Sequence, residues 1–241
     1  MMQFSRLYTR AKLDLLLAVV AVLCIWAMFS ASSDPVVSWL QGSPVAAAFQ
    51  QFPTGNEVAF NLAAGVIAAL FTYYLLVRLP EYERNNRIKK HLLSTYSQFK
   101  ESVIAIFLGS VDGIYDPDEV ESLCQQATFR AHFRQNYAPG QDKWDAVANN
   151  MNDFVLRQIV LETEVLLGEF QHAIGAIDIK DPEVFAFMKR LSSALYRAKN
   201  WSSDYDGTKE VLGFFWQILA GWSPVKGYSN REYVIDMLRR L

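Results

Sequence analysis

Three histidines, two cysteines and two knots of carboxylates are the side chains of this sequence that could bind a metal or carry a proton. His91, His132 and His172 fall in helical patterns and none belongs to an HExxH zinc helix. Each is read as a solvated or half-buried structural histidine. Cys24 lies inside an apolar run and Cys124 in a polar helix, with neither disulfide-framework nor zinc spacing, so both are read as small apolar residues. The acidic run Asp116, Asp118, Glu119, Glu121 does not have the spacing of a calcium loop. It fits a helix N-terminus instead, where negative charge is stabilising. Glu162, Glu164 and Glu169 do not converge either, because residues two apart on a helix point roughly 200° apart. A Walker loop, a GxGxxG turn after a strand and a GxSxG elbow are also lacking. The expectation is a chain that is not an enzyme and has no catalytic residue, cofactor or metal.

The elements that carry these residues divide into two unlike parts. Residues 1–79 hold four basic and three acidic side chains, net +1, and residues 80–241 hold 19 and 22, net −3. An acidic body is a poor match to a polyanion, because nonspecific nucleic-acid affinity comes mainly from neutralising phosphates. Direct nucleic-acid binding is therefore not expected.

From Leu62 to Val77 there is no charge. At about 1.5 Å per residue, 58–77 extends roughly 30 Å, the hydrocarbon thickness of a bilayer. An earlier run, 15–29, is also uncharged. Basic residues ahead of it and small residues near Ala27 and Ala31 would suit a cleaved signal. Asp14 at its start and Trp26 and Phe29 near the cleavage position favour an uncleaved helix. Residues 1–80 then form a transmembrane hairpin, with spans at about 12–32 and 57–79 and an external loop over 33–56. Val36, Val37, Trp39 and Leu40, with 46–49, suit a loop resting on the membrane surface.

Lys and Arg favour the cytoplasmic side. Arg6, Arg10 and Lys12 flank the first span, Arg84, Arg87, Lys89 and Lys90 follow the second, and the connection has none. Both termini are expected in the cytoplasm of a two-span inner-membrane protein. That topology puts Asp14 and Arg78 at one level, where pairing would lower the cost of both charges. Ala18 and Ala21 in the first span, and Ala64, Gly65, Ala68 and Ala69 in the second, are small residues at helical spacing that let backbones approach closely. They serve either packing of the hairpin on itself or lateral association into a homo-oligomer.

The remainder, 81–241, reads as a cytosolic all-α bundle of about six helices. Pro80 either stops the second span or kinks it. An amphipathic helix follows, with Ile88, Leu92, Tyr96, Phe99, Val103, Ile106 and Phe107 on one face, ending near Gly109. Asp116-Pro117 opens a helix to about Tyr137, and Asp181-Pro182 another to about Asn200. Between them 143–177 reads as one long helix. The segment 207–221 is apolar nearly all round, which means burial, a partner surface or membrane contact; Phe214, Phe215, Trp216 and Trp222 are its candidate partner surface. A short helix closes the chain.

The hairpin (15–29 and 57–79), the basic exit RNNRIKK from Arg84 and a helical tail without catalytic motifs make a layout. It resembles the two-span effectors of bacterial anti-phage systems, notably the transmembrane protein encoded beside a reverse transcriptase in certain retrons. The resemblance implies antiviral defence by abortive infection: a cytosolic protein or ribonucleoprotein partner holds the effector inactive, and release lets it breach the inner membrane. The other readings are a non-catalytic membrane adaptor or scaffold that recruits a cytosolic partner, and an integral membrane enzyme.

Overall fold

The computed structural model describes residues 2–31, 57–225, 227–229 and 231–241, with the helical backbone alone for 2–14. The chain divides into two units, Met1–Arg84 and Asn85–Leu241.

In the first unit, α1 (Met2–Ala31) and α2 (Glu57–Tyr73) lie against one another. On α2 the covered stripe is Ala59, Ala63, Val66, Ile67 and Leu70, one face at helical spacing. Thr72 donates its hydroxyl to the Ala68 carbonyl at 2.8 Å, so this polar group is satisfied by its own helix. A π-helical turn, Tyr74–Arg78, leads into α3 (Leu79–Val111). Proline lacks an N–H and its ring crowds the carbonyl four residues back. Widening the turn ahead of Pro80 lets the helix pass it, so the helix neither stops there nor needs a break.

Among the described residues one helix, Glu57–Val111, is long and apolar enough to cross a membrane. Leu15–Ala31 is a shorter apolar helix. The external loop, with its surface-resting residues, lies outside the described residues.

The second unit is mostly helical. From Leu92 onward α3 is its axis, burying Leu92, Tyr96, Phe99, Val103, Ile104, Phe107 and Leu108. Complete burial of such a side chain stabilises by about 1.5–3 kcal/mol. Around it come α4 (Pro117–Leu123), α5 (Gln126–Phe133), α6 (Lys143–Asn149), α7 (Asp153–Ala176), α8 (Pro182–Arg197) with a 3-10 turn at Ala198–Asn200, α9 (Tyr205–Leu219) and α10 (Tyr233–Arg239). Asp116 and Asp181 cap α4 and α8 with proline at the first turn, as the sequence predicts.

Two of the expected six helices are each broken in two. The segment 116–137 splits at Cys124, whose carbonyl accepts from the Lys100 ammonium at 2.6 Å. It ends as a helix at Phe133. An antiparallel hairpin follows, β1 (Asn136–Ala138) with β2 (Gln141–Asp142), turning at Gly140 with φ +80°. The segment 143–177 splits at 150–152, because the Asn152 side chain accepts from the Phe154 and Val155 amides and starts a new helix. A second small hairpin pairs β3 (Trp222–Ser223) with β4 (Gly227–Tyr228).

Gly221 is the one residue that fits where it sits. Its φ is +65°, and a Cβ there would lie 2.3 Å from Gln126 Oε1 and 2.6 Å from the Ser229 carbonyl.

Candidate functional site

The first candidate is the apolar surface of unit one. Leu62, Phe71 and Leu76 are 70%, 63% and 73% exposed, so this stretch is not a core helix. Of the small residues, Ala21 and Ala64 are half-buried, while Ala18, Gly65, Ala68 and Ala69 are exposed. The stripe Gly65, Ala68, Ala69 therefore faces away from the covered side of α2.

Arg78 lies 3.9 Å from Glu81 and its guanidinium is 6.0 Å from the Tyr73 ring. The side chains of Arg6, Arg10, Lys12 and Asp14 lie outside the described residues, and the expected Asp14–Arg78 pair with them. Arg84, Arg87 and Lys90 are exposed. Lys89 is half-buried and donates to the Arg239 carbonyl, tying α3 to the end of α10.

The second candidate is in the body. Its core is aromatic: the Phe107 ring lies 5.2 Å from Trp144, 5.4 Å from Phe215 and 6.5 Å from Phe133, each edge to face. This packing decides the fate of the predicted partner surface. Phe215 is completely buried and Trp216 nearly so, Phe214 is half-buried against Trp201, and Trp222 remains 37% exposed. Helix α9 is accordingly amphipathic rather than apolar all round, with Lys209, Glu210, Gly213 and Gln217 outward.

Trp216 and Trp222 nevertheless share a site. With Trp144, Leu212 and Met151 they line a cleft of about 910 Å³ between α6, α9 and the hairpins, whose polar lining includes Arg134, Gln141, Asn149, Lys209 and Gln217. The Arg134 guanidinium sits 4.8 Å from the Trp216 ring and donates to Asp142 at 3.0 Å. Burial opposes its charge, but hydrogen bonds to Tyr228 and Asp142 outweigh that and raise its pKa. Trp216 Nε1 donates to the Tyr228 hydroxyl at 3.3 Å. Only Trp216 and Trp222 were singled out from the sequence. Trp144 and Arg134 reach the cleft from segments about 70 to 90 residues away in the chain.

The titratable groups fall elsewhere. Lys100 is 4% exposed and holds both Glu232 oxygens at 3.0 and 3.1 Å, besides the Cys124 carbonyl, which pins α10 to α3. Burial pushes the Cys124 thiol up, against the pull of Lys100, and keeps it protonated. Burial also raises the Tyr96 phenol, helped by the Glu232 charge.

His91 lies 3.4 Å from Glu169, and His172 is exposed on α7. His132 is buried, with Nδ1 3.4 Å from Glu119 and Nε2 3.1 Å from the Lys143 ammonium. Sequence spacing missed these partners, because they come from α4 and α6. Among the described residues no group of three or more His, Cys, Asp or Glu could hold a metal ion. Glu119 serves at the first turn of α4 and faces His132, while Glu164 pairs with Lys199 at 3.3 Å. Asp116, Asp118, Glu119, Glu164 and Glu169 thus sit at a helix start or face a basic side chain. What the arrangement presents is an exposed apolar helix surface in the first unit and a cleft lined by tryptophans and polar side chains in the second. No family model matches this chain, and neither does any curated protein or solved structure.

Proposed function

We propose that this chain is a membrane-anchored effector of bacterial antiviral defence, held in the inner membrane by two spans with both termini in the cytoplasm. A cytosolic protein or ribonucleoprotein complex restrains it through the helical body, and release lets its apolar helices associate and perturb the membrane. One observation carries the reading. The most apolar window of Glu57–Val111 has mean hydropathy 1.9 and is only 6% buried, which is costly in water and natural in lipid. The outward stripe Gly65, Ala68, Ala69 supports association between copies, since small residues allow close backbone approach.

The test is induction of the full chain in bacteria, with membrane potential and dye entry as readouts. Depolarisation is expected when the chain is free of its partner. Gly65→Leu with Ala68→Leu should reduce dye entry at least tenfold without loss of insertion. Undiminished damage in the inserted double variant would refute packing through that stripe.

The cleft favours a second reading, a non-catalytic adaptor that recruits a cytosolic partner and leaves the membrane intact. An adaptor would give membrane localisation with no depolarisation.

A further inference from the structure

Four ionisable side chains from four successive segments meet beneath one wall of the cleft. His132 on α5 is 9% exposed. Facing it are Glu119 from α4, 3.4 Å from Nδ1; Asp112 from the turn after α3, 4.0 Å from Nε2; and Lys143 from α6, 3.1 Å from Nε2. Asp112 is shared, because it also accepts from the Lys143 ammonium at 3.1 Å.

The geometry sets the protonation state. An ammonium can only donate, so a hydrogen bond from Lys143 requires a lone pair on Nε2, which leaves the ring proton on Nδ1 toward Glu119. Neutral His132 is thus a strut that accepts from α6 and turns its Nδ1 proton toward Glu119 on α4. A proton on Nε2 removes the acceptor and puts two cations at hydrogen-bond distance. They then compete for the one Asp112 carboxylate. Burial, then the Lys143 charge, depress the His132 pKa below its ordinary 6.5, against the pull of Glu119 and Asp112.

Lys143 is the first residue of α6, and the next residue, Trp144, lines the cleft while packing 5.0 Å from Trp216 and 5.4 Å from Phe133. We propose that His132 is a proton-operated strut: protonation frees Lys143 from the imidazole, loosens the first turn of α6 and shifts Trp144 in the cleft wall. The regulatory meaning rests on the cleft being a partner site; the strut itself does not.

The sign follows from the depressed value. The folded state with neutral His132 is favoured above the ordinary pKa, and that advantage falls away as pH drops through it, because the loosened chain takes the proton first.

The experiment uses the full chain in detergent micelles, labelled with fluorotryptophan and followed by fluorine NMR from about pH 8 to about pH 5. Histidine ring NMR is recorded on the same samples, and Trp144 is assigned from W144F. The Trp144 signal should move with the His132 midpoint, below 6.5. Amide protection in α6 should fall about tenfold over the same range.

In His132→Gln, whose amide can accept from Lys143 without titrating, the Trp144 response should vanish. Should that variant not fold, Lys143→Met replaces it and should move the His132 midpoint upward. A Trp144 signal indifferent to His132 titration, an unchanged response in His132→Gln, or an unmoved midpoint in Lys143→Met overturns the strut. If the strut holds but Trp222→Ala leaves restraint of the membrane activity intact, the partner-site reading of the cleft fails alone.

Discussion

Helices α2 and α3 hold similar numbers of aliphatic and aromatic residues, crowded into 17 positions in α2 and spread over 33 in α3, and have opposite habits. On α2 and the π-helical turn that follows it, Leu62, Phe71 and Leu76 are 63–73% exposed, whereas on α3 Leu92, Phe99 and Phe107 are at most 2% exposed. The difference is in pattern. Charges and amides interleave with the apolar residues of α3 at helical spacing, which leaves one face for a protein core. In α2 apolar residues cover the whole circumference, and a protein interior reaches only one stripe of it. The lesson is that the first region leaves most of its apolar surface uncovered, whereas the second encloses its own.

The comparison is broken most severely by charging the outward face of α2. Ala69→Arg with Phe71→Arg should cost about 2.5–3.5 kcal/mol for each arginine near the bilayer centre. Carbonate extraction measures it: the native chain stays in the membrane pellet and the double variant moves to the supernatant. A native chain that extracts freely would end the membrane assignment.

Next in size is the matching change in the body. Phe107→Ala removes the ring that touches Trp144, Phe215 and Phe133 and should destabilise by about 3–5 kcal/mol in urea titration, with membrane insertion retained. Loss of insertion together with stability would mean that the regions are not energetically separate.

The smallest effect sharpens the comparison at the protein surface. The Arg240 hydrogen bond, then the amides of Glu183 and Val184, hold the Asp181 carboxyl below 3.8. A depressed carboxylate contributes stability above its unfolded pKa and loses it as pH falls through the folded value. The urea midpoint should therefore decline below about pH 4, and Asp181→Asn should flatten that decline. An unchanged decline would show that this clamp is not its source.

Much of this architecture is local and was legible in the residues. The uncharged run 62–77, the amphipathic spacing of α3 and the two Asp-Pro starts each depend on neighbours within a few positions, where helix geometry and capping act. The breaks at Cys124 and at 150–152 were not read. Asn152 did offer a cap signal, but the apolar stripe across 143–177 masked it. The break at Cys124 had no local signal, because it is stabilised by a lysine 24 residues away.

The sequence by itself determined that there is an apolar helix of bilayer length, a polar helical remainder, and where several helices begin. Only the tertiary structure decided that Phe215 and Trp216 go inward, that Trp144 and Arg134 join Trp222 at a cleft, and that Lys100 closes on Glu232 from 132 residues away. The reason is physical. Periodicity shows that a face is apolar, whereas its partner is chosen by shape, hydrogen bonding and charge at close range, between residues that the chain order keeps far apart.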